Sequence, residues 1–405
     1  MSTHPYNDLM LKAVALAGQA RWKTFPNPTV GALLVKDGVV AASGMHKGAG
    51  LPHAEIEALE DARNKGVNPA ECVMVVTLEP CRHHGRTPPC TDAIIAAGIR
   101  HVVIGVQDPN PDAAGGAEVL RAAGVQVEMG AAQEECLDLI DDFITWQASR
   151  LPYTLLKLAA TMDGRIASRS GHSKWISSAE TRNRAHYLRR HMQAIIVGGN
   201  TFYQDDPQLT CRISPEDDPD MDPCAEQPLA VVVTSRLPEA GQPLYLLKNR
   251  AASTIFWTTV AAAASPKAEA LRRMGIRVLG LPSEAKTNTR GFGMRAELDV
   301  TEGFMHLREE LGCHYVLCEG GGRLGLSLLD KGLAREFHLH LAPKILGDNQ
   351  AIPLFDGRTP LNVEQALQLR ITDAAPSGSD IVITMRPAVS LQSGQEQAAS
   401  AGRPR

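Results

Sequence analysis

The chain has 405 residues, more than one hydrophobic core usually supports, so two domains are expected. It is 44% hydrophobic and 21% charged with a formal net charge of -4, ordinary globular chemistry that argues against a disordered chain or a basic nucleic-acid binder. No apolar run nears the ~18 residues of a membrane helix, and Met1 to Asp8 lacks the basic and apolar regions of a signal peptide; a cytoplasmic protein without a membrane partner is expected. Eight cysteines spread over so long a chain do not read as a disulfide framework, which leaves buried residues or metal ligands.

The first part alternates helix and strand patterns. An amphipathic stretch runs from Asp8 to Ala20, followed by strands Val30–Val35 and Val39–Ala42 around the turn Lys36-Asp37-Gly38, which reads as a hairpin. A helix is expected from His53 to Lys65, then a strand Cys72–Leu78, a short helix Thr91–Ala97, a strand Val102–Val106 and a helix Glu118–Ala123. One long helix, Gln133–Ser149, then delivers the chain to Leu151-Pro152, where the domain junction is placed.

The second part begins with a strand Tyr153–Ala160, a helix Ala179–Met192, and strands Ala194–Val197, Leu229–Thr234, Thr254–Trp257 and Val278–Leu281. Helix Thr301–Leu311, strand His314–Cys318, a Gly-rich turn into Leu324–Asp330, and strands Glu336–Leu341 and Ile381–Met385 complete it. The acidic stretch Ser214–Gln227 and the polar stretch Pro282–Arg295 read as surface insertions, and the Ser/Gln/Ala-rich stretch from Ala388 to Arg405 as a disordered tail. The domains are thus 1–150 and 151–387, with a tail 388–405.

His53-Ala54-Glu55 opens an expected helix, Pro80-Cys81 follows a strand, and Cys90 precedes another helix. One imidazole and two thiolates leave the fourth position of a tetrahedral zinc site open to water, as catalytic sites require. Glu55 can stand beside that water without ligating the metal and shuttle its proton to a departing amine. His83 and His84 are competing ligands whose loop suits substrate contact or solvent exposure equally well. Taken singly, each residue fits a core thiol or a chance His-x-Glu on a helix face; together they favour zinc.

In the second part, Cys318-Glu319-Gly320-Gly321-Gly322-Arg323-Leu324-Gly325 ends a strand and opens a helix, an arrangement whose bare amides can hold a phosphate. Gly320, Gly322 and Gly325 satisfy the letters of the Rossmann pattern, but the acidic residue expected about twenty positions later is absent, so that fold is rejected. Three successive glycines have no obvious structural need, which favours a ligand over a bare tight turn.

The run Pro26-Asn27-Pro28-Thr29-Val30-Gly31, with His53-Ala54-Glu55, Leu78-Glu79-Pro80-Cys81 and His84-Gly85-Arg86-Thr87-Pro88-Pro89-Cys90, closely resembles the deaminase half of the bifunctional deaminase/reductases of riboflavin biosynthesis. Asp108-Pro109-Asn110-Pro111 is also similar, although Asp112-Ala113-Ala114 departs from the family's usual loop. Leu155 to Arg165, Ser173-Lys174-Trp175-Ile176-Ser177, Arg182 to Arg190, Gly198-Gly199-Asn200-Thr201, Asp205 to Arg212 and the Gly-rich turn resemble its reductase half. The resemblance implies an α/β chain with an N-terminal cytidine-deaminase-like three-layer domain and a C-terminal dihydrofolate-reductase-like domain. It implies one zinc ion on His53, Cys81 and Cys90, Glu55 as the proton shuttle, and Asn27 in the pyrimidine pocket. It implies NADPH contacts from Ala159, Trp175, Thr201, Asp205, Ser235 and the loop Gly321, Gly322, Arg323, Leu324, Gly325, Leu326 and Ser327. Ribotide contacts fall to Ser173, Arg189, Leu209, Arg212 and Glu319, with Lys157 at the reacting end. Planar arginine forks suit a substrate phosphate, and a carboxylate suits sugar hydroxyls. The expected function is zinc-dependent deamination of a diaminopyrimidinone ribosylamino phosphate, followed by NADPH-dependent reduction of its ribosyl group. Deamination of another nucleotide or an RNA base is the alternative for the first half, disfavoured by the charge balance. A homo-oligomer is compatible with such domains, though the sequence points to no interface.

Overall fold

The computed structural model describes residues 4–83, 88–213, 226–287 and 294–388. Its chain forms two compact units, Met1–Ser149 and Arg150–Arg405.

The first unit contains α1 (Asn7–Gly18), β1 (Gly31–Lys36), β2 (Val39–Met45), α2 (Ala54–Lys65), β3 (Val73–Leu78) and α3 (Cys90–Ala96). It continues with β4 (His101–Val106), α4 (Gly116–Ala122), β5 (Gln126–Met129), α5 (Gln133–Leu139) and α6 (Asp141–Ala148). The sheet order is β2-β1-β3-β4-β5; β1 is antiparallel to both neighbours, while β3, β4 and β5 are parallel. Asp37 and Gly38 take φ of 51° and 78°, the left-handed pair whose twist suits a two-residue hairpin turn. Across that hairpin Gly31 pairs with Met45 and Gly44 with Ala32, so the two glycines face opposite sides of the sheet. A Cβ on Gly31 would lie 2.4 Å from the Ala13 carbonyl of α1, and one on Gly44 2.4 Å from the Ala54 carbonyl of α2. Helices therefore press on both faces, giving three layers.

The expected long helix Gln133–Ser149 is two helices, broken at Ile140, where φ is -110°. Asp141 and Asp142 favour a new N-terminus there through the helix dipole. Strand β5 lacks an apolar alternation, with both ends exposed at the sheet edge, and gave no periodic signal.

The second unit runs β6 (Tyr153–Thr161), β7 (Arg165–Ala167), α7 (Ala179–Arg190), β8 (Ala194–Gly198), α8 (Gly199–Asp205), β9 (Leu229–Val233) and α9 (Tyr245–Asn249). There follow β10 (Thr254–Thr259), α10 (Val260–Ala263), α11 (Pro266–Arg273), β11 (Arg277–Leu281), β12 (Ser283–Thr287), β13 (Met294–Leu298) and α12 (Thr301–Glu309). Last come β14 (Tyr315–Cys318), α13 (Gly322–Asp330), β15 (Glu336–Ala342), β16 (Ile352–Pro353), β17 (Leu369–Ser377) and β18 (Asp380–Pro387). The main sheet is ordered β11-β10-β9-β8-β14-β6-β15-β18-β17, parallel from β11 to β15 and antiparallel at β18 and β17. Central strands are covered on both faces, which is why Ala194–Val197 and Tyr315–Cys318 are unbroken apolar runs. Trp257 anchors the core, with its ring 5.3 Å from that of Phe304 in edge contact.

Within the polar stretch Pro282–Arg295, β12 pairs antiparallel with β13, which begins at Met294; Ser-Glu-Ala-Lys-Thr lacks the apolar signature of a strand. Residues 214–225 of the acidic insertion, 288–293, His84 to Thr87 and the tail 389–405 lie outside the described residues.

Candidate functional site

In the first unit, three chain segments meet at the start of α2. His53 is its N-cap residue, with extended backbone, and Glu55 lies in its first turn. Cys81 follows β3, and Cys90 is the first residue of α3. The His53 Nδ1 atom lies 3.3 Å from Cys90 Sγ and 3.7 Å from Cys81 Sγ, and all three donor atoms fall within 4.8 Å of one another. A tetrahedral zinc bonded at its usual lengths separates a nitrogen and a sulfur ligand by ~3.6 Å. The donor set and its spacing therefore fit the ion. Hydrogen bonding from Cys90, outweighing burial, brings the Cys81 thiol down to about 4, while the thiolate so formed pushes Cys90 up. Glu55 is 4% exposed, and burial raises its carboxyl against a hydrogen bond with Cys90.

Two supporting groups escaped the sequence reading. Buried Glu79 accepts from the amides of Asp108 (3.1 Å), Gly115 (3.1 Å) and Ala117 (2.9 Å), fastening the Asp108–Gly116 loop beside Cys81. Buried His46 donates through Nδ1 to the Pro52 carbonyl (2.9 Å), because a carbonyl can only accept; its Nε2 then accepts from Asn27 Nδ2 (3.0 Å). Burial lowers the His46 imidazole, consistent with a neutral ring in this pair. Asn27 is thereby fixed in its amide orientation. Only the fold brings these residues together, so no local motif could have found His46.

In the second unit, the expected residues gather at the carboxyl ends of β9, β8, β14 and β6. Glu319 follows β14, and Arg189 from α7 grips it bidentately, Nε to Oε1 at 2.7 Å and Nη2 to Oε2 at 2.5 Å, while Arg189 Nη1 reaches the Thr210 carbonyl at 3.0 Å. The fork that residue type reserved for phosphate is thus engaged by the neighbouring carboxylate. Burial pushes the Glu319 carboxyl up, but Arg189, with Lys157 and His186, outweighs it and holds it at about 2. Burial lowers the Lys157 ammonium, Arg189 adds to this and Glu319 opposes it. His186 is lowered to about 4, by burial first and then by Arg189 and Arg212. Arg212 donates to Thr210 Oγ1 (2.9 Å) and Gln208 Oε1 (3.2 Å), and stands 3.2 Å from His186 Nε2. Leu209 is buried at the centre of this loop.

Ser173 donates to Asp205 Oδ1 (3.3 Å), and the Trp175 carbonyl accepts from Lys344 Nζ (2.7 Å) while Arg182 covers the exposed indole at 4.4 Å. Ala159 lies on β6 opposite His340. Ser235 is exposed beyond β9, next to Thr234, whose Oγ1 would be 2.6 Å from a Cβ on Gly199.

The Gly-rich turn has a structural need that is not visible in the sequence. A Cβ on Gly320 would lie 2.5 Å from Gly198 N and one on Gly322 1.9 Å from the Leu354 carbonyl, whereas Gly321 meets only Thr201 Oγ1 at 4.0 Å. Two of the three glycines thus admit the chain's own backbone, and Gly321 alone faces open space. Gly325 packs on Leu156, Leu324 packs against the core, and Arg323 is ion-paired with Asp356 at 3.0 Å. Leu326 and Ser327 are half-buried on α13.

The cytidine and deoxycytidylate deaminase zinc-binding region matches residues 3–106, and the RibD C-terminal domain matches residues 152–383. The riboflavin biosynthesis protein RibD of Aquifex aeolicus (strain VF5) is 39% identical over 377 residues, covering 92% of this chain and 96% of that protein. The chain belongs to the RibD family. RibD of Actinobacillus pleuropneumoniae is 37% identical over 93% of this chain and 94% of its own length. Among solved structures, the diaminohydroxyphosphoribosylaminopyrimidine deaminase/5-amino-6-(5-phosphoribosylamino)uracil reductase of Thermotoga maritima has a TM-score of 0.70 and 33% identity, covering 95% of this chain and 99% of that one. Like other RibD proteins, the chain is an α/β enzyme pairing a deaminase half with a reductase half in riboflavin biosynthesis.

Proposed function

We propose that residues 1–150 deaminate 2,5-diamino-6-(5-phosphoribosylamino)pyrimidin-4(3H)-one and that residues 151–387 then reduce the ribosyl group to ribityl. The observation that carries the first step is the three donor atoms of His53, Cys81 and Cys90, spaced as zinc ligands are, with the buried Glu55 carboxylate against Cys90. Zinc, when bound, supplies the Lewis acidity that makes water nucleophilic near neutral pH. Glu55 takes the proton from that water and returns it to the ring amine, so that water enters and ammonia leaves. Asn27, oriented by His46, offers its carbonyl oxygen to the pyrimidine edge.

For the second step the cofactor is NADPH, which supplies the hydride. Thr201, which faces the open side of Gly321, contacts the cofactor together with Ala159, Trp175, Asp205, Ser235 and the turn from Gly321 to Ser327 that opens α13. With the sugar in its ring-opened imine form, hydride adds to the sugar carbon attached to the amine, and Lys157, at the reacting end, gives the accompanying proton to the imine nitrogen. Glu319, gripped by Arg189, places a negative charge that favours the protonated Lys157, Ser173 meets the ribotide, and the Leu209–Arg212 loop receives its phosphate. The substrates are small molecules; no helix among the described residues is long and apolar enough to cross a membrane. A cytoplasmic location, no nucleic-acid partner and a homo-oligomer complete the reading.

Mass spectrometry of the product made by the zinc-loaded protein from the diaminopyrimidinone ribotide tests both steps. Without NADPH the amine should be exchanged for oxo and nothing more. With NADPH a further gain of two hydrogens should follow. Deamination without reduction overturns the role of the second unit, and neither change overturns the substrate.

A further inference from the structure

Arg250 is a cation buried in an unusual way. It is 8% exposed at the end of α9, and no carboxylate among the described residues pairs with it. Its guanidinium donates to main-chain carbonyls: Nη1 to Gln208 O (2.9 Å) and Leu209 O (2.7 Å), and Nη2 to Pro228 O. A buried guanidinium is costly unless its donors are satisfied, so these carbonyls and the arginine fix one another.

The consequence lies on the other side of each peptide plane. In a trans peptide the N–H points opposite to the preceding carbonyl. With the carbonyls of Gln208 and Leu209 turned to Arg250, the amides of Leu209 and Thr210 face away from it, and neither finds an acceptor among the described residues. Leu209 has φ of 51°, a left-handed conformation that a branched residue keeps only when its surroundings impose it. Successive amides turned one way around a left-handed residue make an anion-binding nest. Arg212, hydrogen-bonded to the side chains of Thr210 and Gln208, puts a further guanidinium on the same loop.

We propose that Arg250 is a positioning residue: it fixes the peptide planes that turn the Leu209 and Thr210 amides toward the place where the Leu209–Arg212 loop receives the ribotide phosphate. The inference rests on the reading above that this unit takes a ribosylamino phosphate. Arg250 touches no substrate; it acts through the peptide planes of Gln208 and Leu209.

The test uses the full chain and three variants, Arg250→Met, Arg250→Lys and Arg212→Met. Reductase kcat and KM are measured with the deaminated ribotide and with the same compound lacking its phosphate, together with inhibition by ribose 5-phosphate. Hydrogen bonds to a charged group put the KM rise for the ribotide in Arg250→Met at about ten- to a hundredfold, with kcat within about twofold. The inhibition constant of ribose 5-phosphate should rise in parallel, while kcat/KM for the dephosphorylated compound stays level. Arg250→Lys, which keeps the charge but lacks the fork, should fall between the two. NADPH affinity, read by fluorescence titration, and ammonia release by the first unit should not move. Equal loss on the phosphorylated and dephosphorylated compounds, or an unchanged KM in the lysine variant and the methionine variant, overturns the positioning role. If the unmodified protein binds ribose 5-phosphate no better than ribose and Arg212→Met changes nothing, the ribotide reading fails and the inference falls with it.

Discussion

The two halves differ in what their polar side chains are occupied with. In the first unit, His53, Cys81 and Cys90 bring donor atoms within 4.8 Å around one point, and the loops around them are held by other groups, Glu79 and His46. In the second, the charged residues that look like ligands largely hold the protein: Arg189 on Glu319, Arg323 on Asp356, Arg250 on carbonyls. A metal is bound by side-chain atoms, so its residues announce themselves by type. A phosphate or nucleotide can be bound by backbone amides, and then side chains act as scaffolding one step removed.

The largest effects should separate the units cleanly. His53→Ala removes one of the three proposed zinc donors, so metal content should fall well below one per chain and ammonia release should cease, while the deaminated ribotide is still reduced. Glu55→Gln leaves the donor set intact; zinc should stay bound and deamination should fall about 10²- to 10⁴-fold. Metal analysis with ammonia release and NADPH oxidation measures all three. Zinc loss in Glu55→Gln would place that carboxylate among the ligands.

The candidate metal cluster was legible because His53, Cys81 and Cys90 each stand at the border of a periodic element. The strands of the second unit were legible for a related reason: Ala194–Val197 and Tyr315–Cys318 are apolar on both faces. Hairpin β12–β13 and edge strand β5 were not: Ser-Glu-Ala-Lys-Thr carries no apolar alternation, and Gln-Val-Glu-Met is only 4 residues long with exposed ends. The three glycines of the turn were legible as special but not in their reasons, because a glycine needed by a ligand and one needed by a neighbouring carbonyl look alike in sequence. The pairing of the Arg189 fork with Glu319 was not legible for a similar cause: the two residues are 130 positions apart.

Breaking the Arg189–Glu319 pair should show scaffolding as lost stability. Arg189→Leu leaves a buried carboxylate without its main partner, at a cost of about 3–5 kcal/mol, read by chemical denaturation of the second unit. The pair also sets an acid dependence. Glu319 is held at about 2, below its ordinary value, so it stabilises the fold above the ordinary carboxyl range, and this is lost as pH falls from ~4.5 toward 2. Arg189→Leu should flatten that acid slope; an unchanged slope would mean the pair contributes nothing.

Gly321 and Gly322 sharpen the contrast within one turn. Gly322→Ala drives a Cβ against the Leu354 carbonyl and should cost about 1–3 kcal/mol of stability. Gly321→Ala meets no backbone and should leave stability unchanged while weakening NADPH binding, measured by fluorescence titration. The opposite pattern would assign the cofactor to the wrong glycine.

The smallest effect concerns how α7 presents Arg189. Ser178 caps that helix, its Oγ accepting from the Thr181 amide at 3.3 Å, and the first-turn amides of a helix have no partner of their own. Ser178→Ala should cost about 1 kcal/mol in denaturation. Arg189 lies at the other end of α7, in its last turn, and is clamped there by Glu319 and Thr210, so fraying at the cap should leave KM for the ribotide unmoved. A KM rise in this variant would show that the substrate loop is held by the helix as a whole, and not by the arginine contacts at its end.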